Sequence, residues 1–209
     1  MQTGKNNFKP LEILGPRSLQ SKSVNGNVVG DTLYHTISGF SLLNQDSIPV
    51  SDSIIKGKIH IANFFFTTCG TICPNMSNQM MRVQHAFEKD SDVVIVSYTV
   101  DPEHDSPAIL KSYAKQHHAI ANKWYFLTGD KKMIYNLART SYYLVAGKGD
   151  GGPDDFIHSE MFTLVDKEGR IRGGNDKKGN MLTYDGTNIL DVNRLIEDIA
   201  VLKREYDKQ

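Results

Sequence analysis

Two cysteines are all that the 209-residue chain carries, and their scarcity is informative. Small secreted domains held together by disulfides need several pairs, so this chain must fold on a hydrophobic core. With no second cysteine pair, a four-thiolate zinc ribbon has no ligands. Net charge is also missing: 24 basic residues balance 24 acidic ones. That excludes the basic surplus with which proteins grip nucleic acid or an anionic membrane. No apolar run approaches the roughly 20 residues of a spanning helix. Residues 1–30 are rich in Asn, Ser, Lys and Gly and lack the apolar segment of a signal peptide. No internal repeat is present, and no low-complexity segment beyond that polar start. A hydrophobic content of 39% with 23% charged residues is that of an ordinary globular chain, and the length favours one domain with a sizeable core.

The apolar residues are ordered. Residues 1–30 read as a polar tail or tether, with Leu11 to Leu14 left unassigned, and residues 31–205 as the folded domain. Leu33 to Thr36 and Phe40 to Leu43 are short strand candidates, and Asn44-Gln45-Asp46-Ser47 reads as a hairpin turn before Ile48-Pro49-Val50. Ile59 to Phe66 is a buried central strand, and a helix is expected from about Asn75 to Lys89, with Met76, Met80, Val83 and Phe87 on one face. Val93 to Val100 is apolar enough to be buried on both faces. Asp101-Pro102-Glu103-His104-Asp105 breaks it, and Ser106-Pro107 opens a helix that buries Ile109, Leu110, Tyr113 and Ala114. Trp124 to Thr128 is a third strand, followed by a helix with Met133, Ile134, Leu137 and Ala138 inward. After a loop at 147–155, Phe156 to Val165 forms a strand, Asp166 to Gly169 a turn and Arg170 to Gly173 its partner. Ile189, Val192, Leu195, Ile196, Ile199 and Leu202 mark a closing amphipathic helix. This order predicts an α/β fold, a mixed central sheet flanked by helices with an extra hairpin. A thioredoxin-like sandwich fits it, although other α/β folds share the order.

Cys69 and Cys73 stand at the switch from the central strand to the first helix. Unpaired N–H groups and the helix dipole favour thiolates there. The Cys-x-x-x-Cys spacing lets two sulfurs converge, either on each other or on one soft metal. His60, His85, His35, His104, His117 and His118 lie where structural or solvated histidines are common. His158 differs, because it opens a strand just after a Gly/Asp loop, at a sheet end where sites are built. Two thiolates with one imidazole suit Cu(I), whereas Zn²⁺ wants a fourth ligand. Met76, Met80, Met81 and Met161 could be soft ligands, but their spacing is that of core residues.

These residues carry a resemblance. Phe64-Phe65-Phe66-Thr67-Thr68-Cys69-Gly70-Thr71-Ile72-Cys73-Pro74 resembles the strand and Cys-x-x-x-Cys-Pro of the Sco/SenC family of copper chaperones. Asp101-Pro102-Glu103-His104-Asp105-Ser106-Pro107 is similar to the family's Asp-Pro-x-x-Asp-Thr/Ser segment, and Phe156-Ile157-His158-Ser159 stands where the family has its ligand histidine. The likeness runs from about Thr32 to Leu202. It implies a thioredoxin-like fold with an inserted hairpin, and Cu(I) or Cu(II) held by Cys69, Cys73 and His158. It also implies delivery of copper to the binuclear copper site of cytochrome c oxidase, or reduction of that site's cysteines. Family members usually face the periplasm or its equivalent from a membrane anchor. The polar start departs from this, so the expectation is a removed anchor with residues 1–30 as its tether. Ile157 stands where an acid is common in the family, and Asp154 or Asp155 could replace that acid.

Two principal functions follow. In a metallochaperone, copper passes by ligand exchange to a partner, the copper-site subunit of the oxidase, and no enzymatic chemistry is required. In a thiol–disulfide reductase acting on other thiol–disulfide proteins, one cysteine attacks and the other resolves. Cys69 is the expected attacker by analogy, with His158 tuning thiolate character. A peroxidase-like redoxin lacks a dedicated motif, and a purely structural module leaves the Cys/Cys/His pattern unexplained. A monomer is the default for a carrier that must dock on its recipient.

Overall fold

The computed structural model describes residues 10–24, 27–144, 160–175 and 181–207. The described chain opens with β1 (Glu12–Ile13), β2 (Arg17–Val24) and β3 (Asn27–Tyr34), then β4 (Ser41–Asn44) and β5 (Pro49–Ser51). Strands and helices then alternate: β6 (Ile59–Phe65), α1 (Cys73–Ala86), β7 (Val93–Thr99), α2 (Pro107–Gln116), β8 (Trp124–Thr128) and α3 (Lys131–Asn136). The last part holds β9 (Met161–Val165), β10 (Ile171–Asn175), β11 (Met181–Leu182), β12 (Tyr184–Asp185) and α4 (Ile189–Tyr206).

The main sheet has the order β1-β10-β9-β6-β7-β8-β4-β5. Its centre, β6, β7 and β8, is parallel, and the strands on either side pair antiparallel. Parallel strands are covered on both faces. Every residue of β6, β7 and β8 is accordingly buried, which is why they read in the sequence as apolar runs. Alternation divides them between two cores. Ile59, Ile61 and Phe65 join Met76, Met80, Val83, Leu110, Tyr113, Val192, Leu195, Ile199 and Leu202 under α1, α2 and α4. Ala62 and Phe64 join Val96, Tyr98, Ile134, Leu137 and Tyr142 on the other face, under α3 and the π-helical turn Leu137–Ser141. The chain is therefore a mixed-sheet α/β sandwich, as the element order predicts.

The expected turn at 44–47 is present: Asn44 Oδ1 accepts from the N–H groups of Asp46 and Ile48, and Ser47 takes a left-handed φ of 59°. Four expectations need correction. First, the stretch read as a polar tether is structured from Pro10 onward. β1 pairs with β10, Leu14 is buried, and β2 and β3 form a two-stranded ribbon. β2 is polar apart from Leu19 and Val24, which leaves no regular hydrophobic stripe to read. Second, α1 begins at Cys73 rather than Asn75 and ends at Ala86 rather than Lys89. Pro74 sits in the first turn, where a missing N–H costs nothing. Third, Ile189 is exposed rather than inward, and the buried face of α4 begins at Val192. Fourth, the strand expected over 156–165 is seen as β9 from Met161, and residues 156–159 lie outside the described residues.

A buried ion network closes the β10 side of the sheet. Asp166 is buried and accepts from the backbone N–H groups of Glu168 and Arg170, from Arg170 Nε and from Arg172 Nη1 at 3.0 Å. Arg172, also buried, donates to Leu11 O and to Glu205. Removing one partner of such a network strands the other charge without water. Asp166→Ala should therefore cost about 3–4 kcal/mol in urea unfolding. A loss under about 1 kcal/mol would show that Glu205 alone satisfies Arg172.

Candidate metal and thiol site

Connections from β6 run through β7 to β8 on one side, while β9 lies on its other side. The crevice past the carboxyl end of such a switch strand is the usual place for a site in an open α/β sheet. The segment that leaves β6 there carries both cysteines. Cys69 and Cys73 are free thiols, 8% and 4% exposed. Cys69 sits in the loop, and Cys73 is the first residue of α1.

That placement makes the two sulfurs unequal. Burial pushes the Cys69 thiol up, but hydrogen bonds from the backbone N–H and thiol of Cys73 and from Thr71 outweigh it. The net result is a value lowered to about 7. The Cys73 N–H is one of the first-turn donors that a helix leaves unpaired, so it is free to serve a thiolate. Thr71 Oγ lies 3.6 Å from the Cys69 sulfur. Cys73 goes the other way. Burial pushes it up to about 12, opposed by the Phe66 N–H and reinforced by Cys69 and by the charge of Asp105. One sulfur is thus an anion near neutral pH while the other holds its proton.

Behind the pair, Tyr113 Oη lies 2.8 Å from Ser77 Oγ, and burial pushes its phenol up to about 12. His117 packs on the Tyr113 ring, with centroids 4.5 Å apart. Sequence reasoning assigned no role to Asp105. It is fully buried and accepts from Thr67 N at 3.0 Å, from Thr67 Oγ, from Thr99 Oγ at 2.5 Å and from His104 Nδ1 at 2.9 Å. It lies inside the Asp-Pro-x-x-Asp segment, but that motif says nothing of its partners.

The structure brings Cys69 and Cys73 together as the spacing predicts. His158, Asp154, Asp155 and Ile157 lie outside the described residues. Among the described residues no group of three His, Cys, Asp or Glu side chains is placed to hold a metal ion. Met76 and Met80 are core residues, as their spacing suggests, and Met81 packs half-buried against them. His60 is buried in β6, with Nε2 3.1 Å from Tyr142 Oη. His35 Nε2 contacts Ser141 O, His85 lies exposed beside Glu88, and His118 is exposed at a left-handed φ of 48°.

Comparisons with known proteins agree. The SCO1/SenC family model matches residues 30–183. The SCO1 protein homolog of Bacillus subtilis is 36% identical over 148 residues, 70% of this chain and 76% of its own. A SCO1/SenC family lipoprotein from Bacillus anthracis superposes with a TM-score of 0.68 at 29% identity, covering 82% of this chain and 96% of the other. BsSco, described through a disulfide switch and as a member of the Sco family of cytochrome c oxidase assembly proteins, gives 0.65 at 32%, covering 81% and 94%. Bradyrhizobium japonicum ScoI with copper bound gives 0.59 at 27%, covering 81% and 98%. The fold is the thioredoxin-like one of these proteins.

Proposed function

This chain belongs to the SCO1/SenC family, and on that premise we propose that it is a copper-binding metallochaperone whose cargo is held by Cys69, Cys73 and His158. The observation that carries the reading is the free thiol pair at the mouth of α1. Two converging thiolates are a soft donor set, which favours Cu(I) over harder ions. His158 is the third ligand by its place in the sequence, and the copper-bound relative ScoI supports a copper cargo. The recipient is the copper-site subunit of cytochrome c oxidase, a reading supported by the oxidase-assembly role stated for BsSco. The work is done on the extracytoplasmic side of a membrane, in line with a lipoprotein relative. Among the described residues no helix is long and apolar enough to cross a membrane.

A second reading has its own observation. One acidic thiol beside one that holds its proton is the arrangement of an attacking and a resolving cysteine. Cys69 would attack a partner disulfide, and Cys73 would displace the partner's thiolate from the mixed disulfide. Both cysteines end as a disulfide and the partner gains two thiols, so the electrons balance.

An anaerobic Cu(I) titration against a competing chelator tests the first reading. One tight equivalent is expected. His158→Ala should weaken it by about a hundredfold or more, since even an outer-shell partner is worth about 10–100-fold. Serine at both Cys69 and Cys73 should abolish it. Weak binding by the fully reduced protein would sink the chaperone reading and leave the reductase.

A further inference from the structure

We propose that Asp105 is the positioning residue of the cysteine loop, acting through Thr67. The inference rests on the copper reading, because it assigns to Asp105 the job of holding the copper-binding sulfurs in register. β6 and β7 are neighbouring parallel strands whose connections leave the sheet at the same end. The last ladder bond on this side runs from Val100 N to Phe65 O. Cys69 N then donates to Phe66 O, a bond internal to the loop. Thr67 is where the loop is tied to its neighbour. Its N–H donates to Asp105 Oδ2 at 3.0 Å, and its hydroxyl donates to Oδ1. The other partners of the same carboxylate, Thr99 Oγ and His104 Nδ1, lie on the β7 side. Asp105 therefore bridges two connections.

A carboxylate with no solvent exposure is costly to bury and persists only when its lone pairs are used. Here Asp105 uses four hydrogen bonds, and two go to a residue two positions before Cys69. Cys73 needs no such support, since α1 holds it. Cys69 lies in the loop, so where its backbone brings the sulfur toward Cys73 and Thr71 depends on where Thr67 is held.

Asparagine is the conservative replacement. Its Oδ1 can take the Thr67 N–H and the Thr99 hydroxyl, while its Nδ2 donates to Thr67 Oγ and to a neutral His104 ring. Alanine removes all four bonds. Thr99→Val removes an Asp105 bond on the β7 side and leaves both Thr67 bonds in place. The full chain and these variants are titrated anaerobically with Cu(I) against a chelator, well below their unfolding temperatures. Asp105→Ala should weaken binding by about 10–100-fold, the range for groups that orient ligands. Asp105→Asn and Thr99→Val should stay within about threefold of the parent. Thr67→Val should weaken binding by about tenfold and add little to Asp105→Ala, as expected for two groups in one interaction. Should Asp105→Ala fail to fold, the contrast between Thr67→Val and Thr99→Val decides alone. Parent-like binding by Asp105→Ala or Thr67→Val overturns the proposal, as does a Thr99→Val loss as large as theirs. If the parent binds no copper, the copper reading falls first. The same variants are then read through the Cys69–Cys73 disulfide equilibrium with glutathione, where Thr67→Val should shift the constant by about tenfold and Thr99→Val should not.

Discussion

Iodoacetamide at pH 8 should modify Cys69 roughly thirty to a hundred times faster than Cys73 in the reduced, metal-free protein. The thiolate is the nucleophile, so the expectation follows from the two acidities. With Cys69 at about 7 and Cys73 at about 12, roughly nine in ten Cys69 side chains are thiolate at pH 8, against about one in ten thousand for Cys73. Lower basicity also lowers nucleophilicity, with a Brønsted slope of about 0.4–0.5, and takes back about two of those four orders. What survives is still large. Mass spectrometry of the two cysteine peptides over a pH series reads it directly. The Cys69 rate should climb through a midpoint near pH 7 and level off above it, while Cys73 stays slow to the alkaline limit. Equal labelling, or a Cys69 midpoint near 9, would show that the Cys73 N–H and Thr71 do not serve the sulfur in solution.

The second large effect is on stability in acid. His60 is buried in β6, its Nε2 is engaged by Tyr142, and its Nδ1 is buried without a partner among the described residues. Burial drives it down to about 3. In the unfolded chain it titrates near 6.5. Between these values the unfolded state takes up a proton that the native state refuses. Native stability is therefore independent of this group above about pH 6.5 and falls as pH drops below it. The loss is about 1.4 kcal/mol per pH unit at first, or about 3 kcal/mol by pH 4, and levels off at about 4 kcal/mol by pH 3, where the native ring begins to take the proton as well. His60→Gln keeps a hydrogen-bonding group for Tyr142 and removes the titration. Urea unfolding of both proteins from pH 7 to 4 should show the parent losing about 3 kcal/mol more than the variant. Parallel curves would mean that His60 gains its proton without unfolding.

What could be read from the residues, and what could not, divides along physical lines. β6, β7 and β8 are covered on both faces, so each is an unbroken apolar run, and the helices between them carry a period that matches the sheet. The cysteine pair was legible because its two members are four positions apart. Asp105 was not. A carboxylate of a loop usually points to water, and the reason this one does not is Thr67, 38 positions away. No local pattern records such a partnership. His60 reads as structural, yet the partner of its buried ring is Tyr142, 82 positions on. The ribbon of β2 and β3 was hidden for another reason. β2 carries only Leu19 and Val24 as apolar residues, too few and too far apart to mark a strand by period.

The join at Arg172 bears on the order of assembly. Leu11 N donates to Glu205 Oε1 across 194 positions, and both residues converge on one guanidinium. Closing a loop of that length costs about 5 kcal/mol in chain entropy before any bond is returned. The β6-to-β8 segment pays far less, because its contacts are between near neighbours in the chain. The first strand is thus laid along an edge that already exists, and by the same arithmetic it is the first piece to peel away. Fraying of this edge would leave the parallel strands β6, β7 and β8, and the cysteine loop that follows β6, still paired and packed.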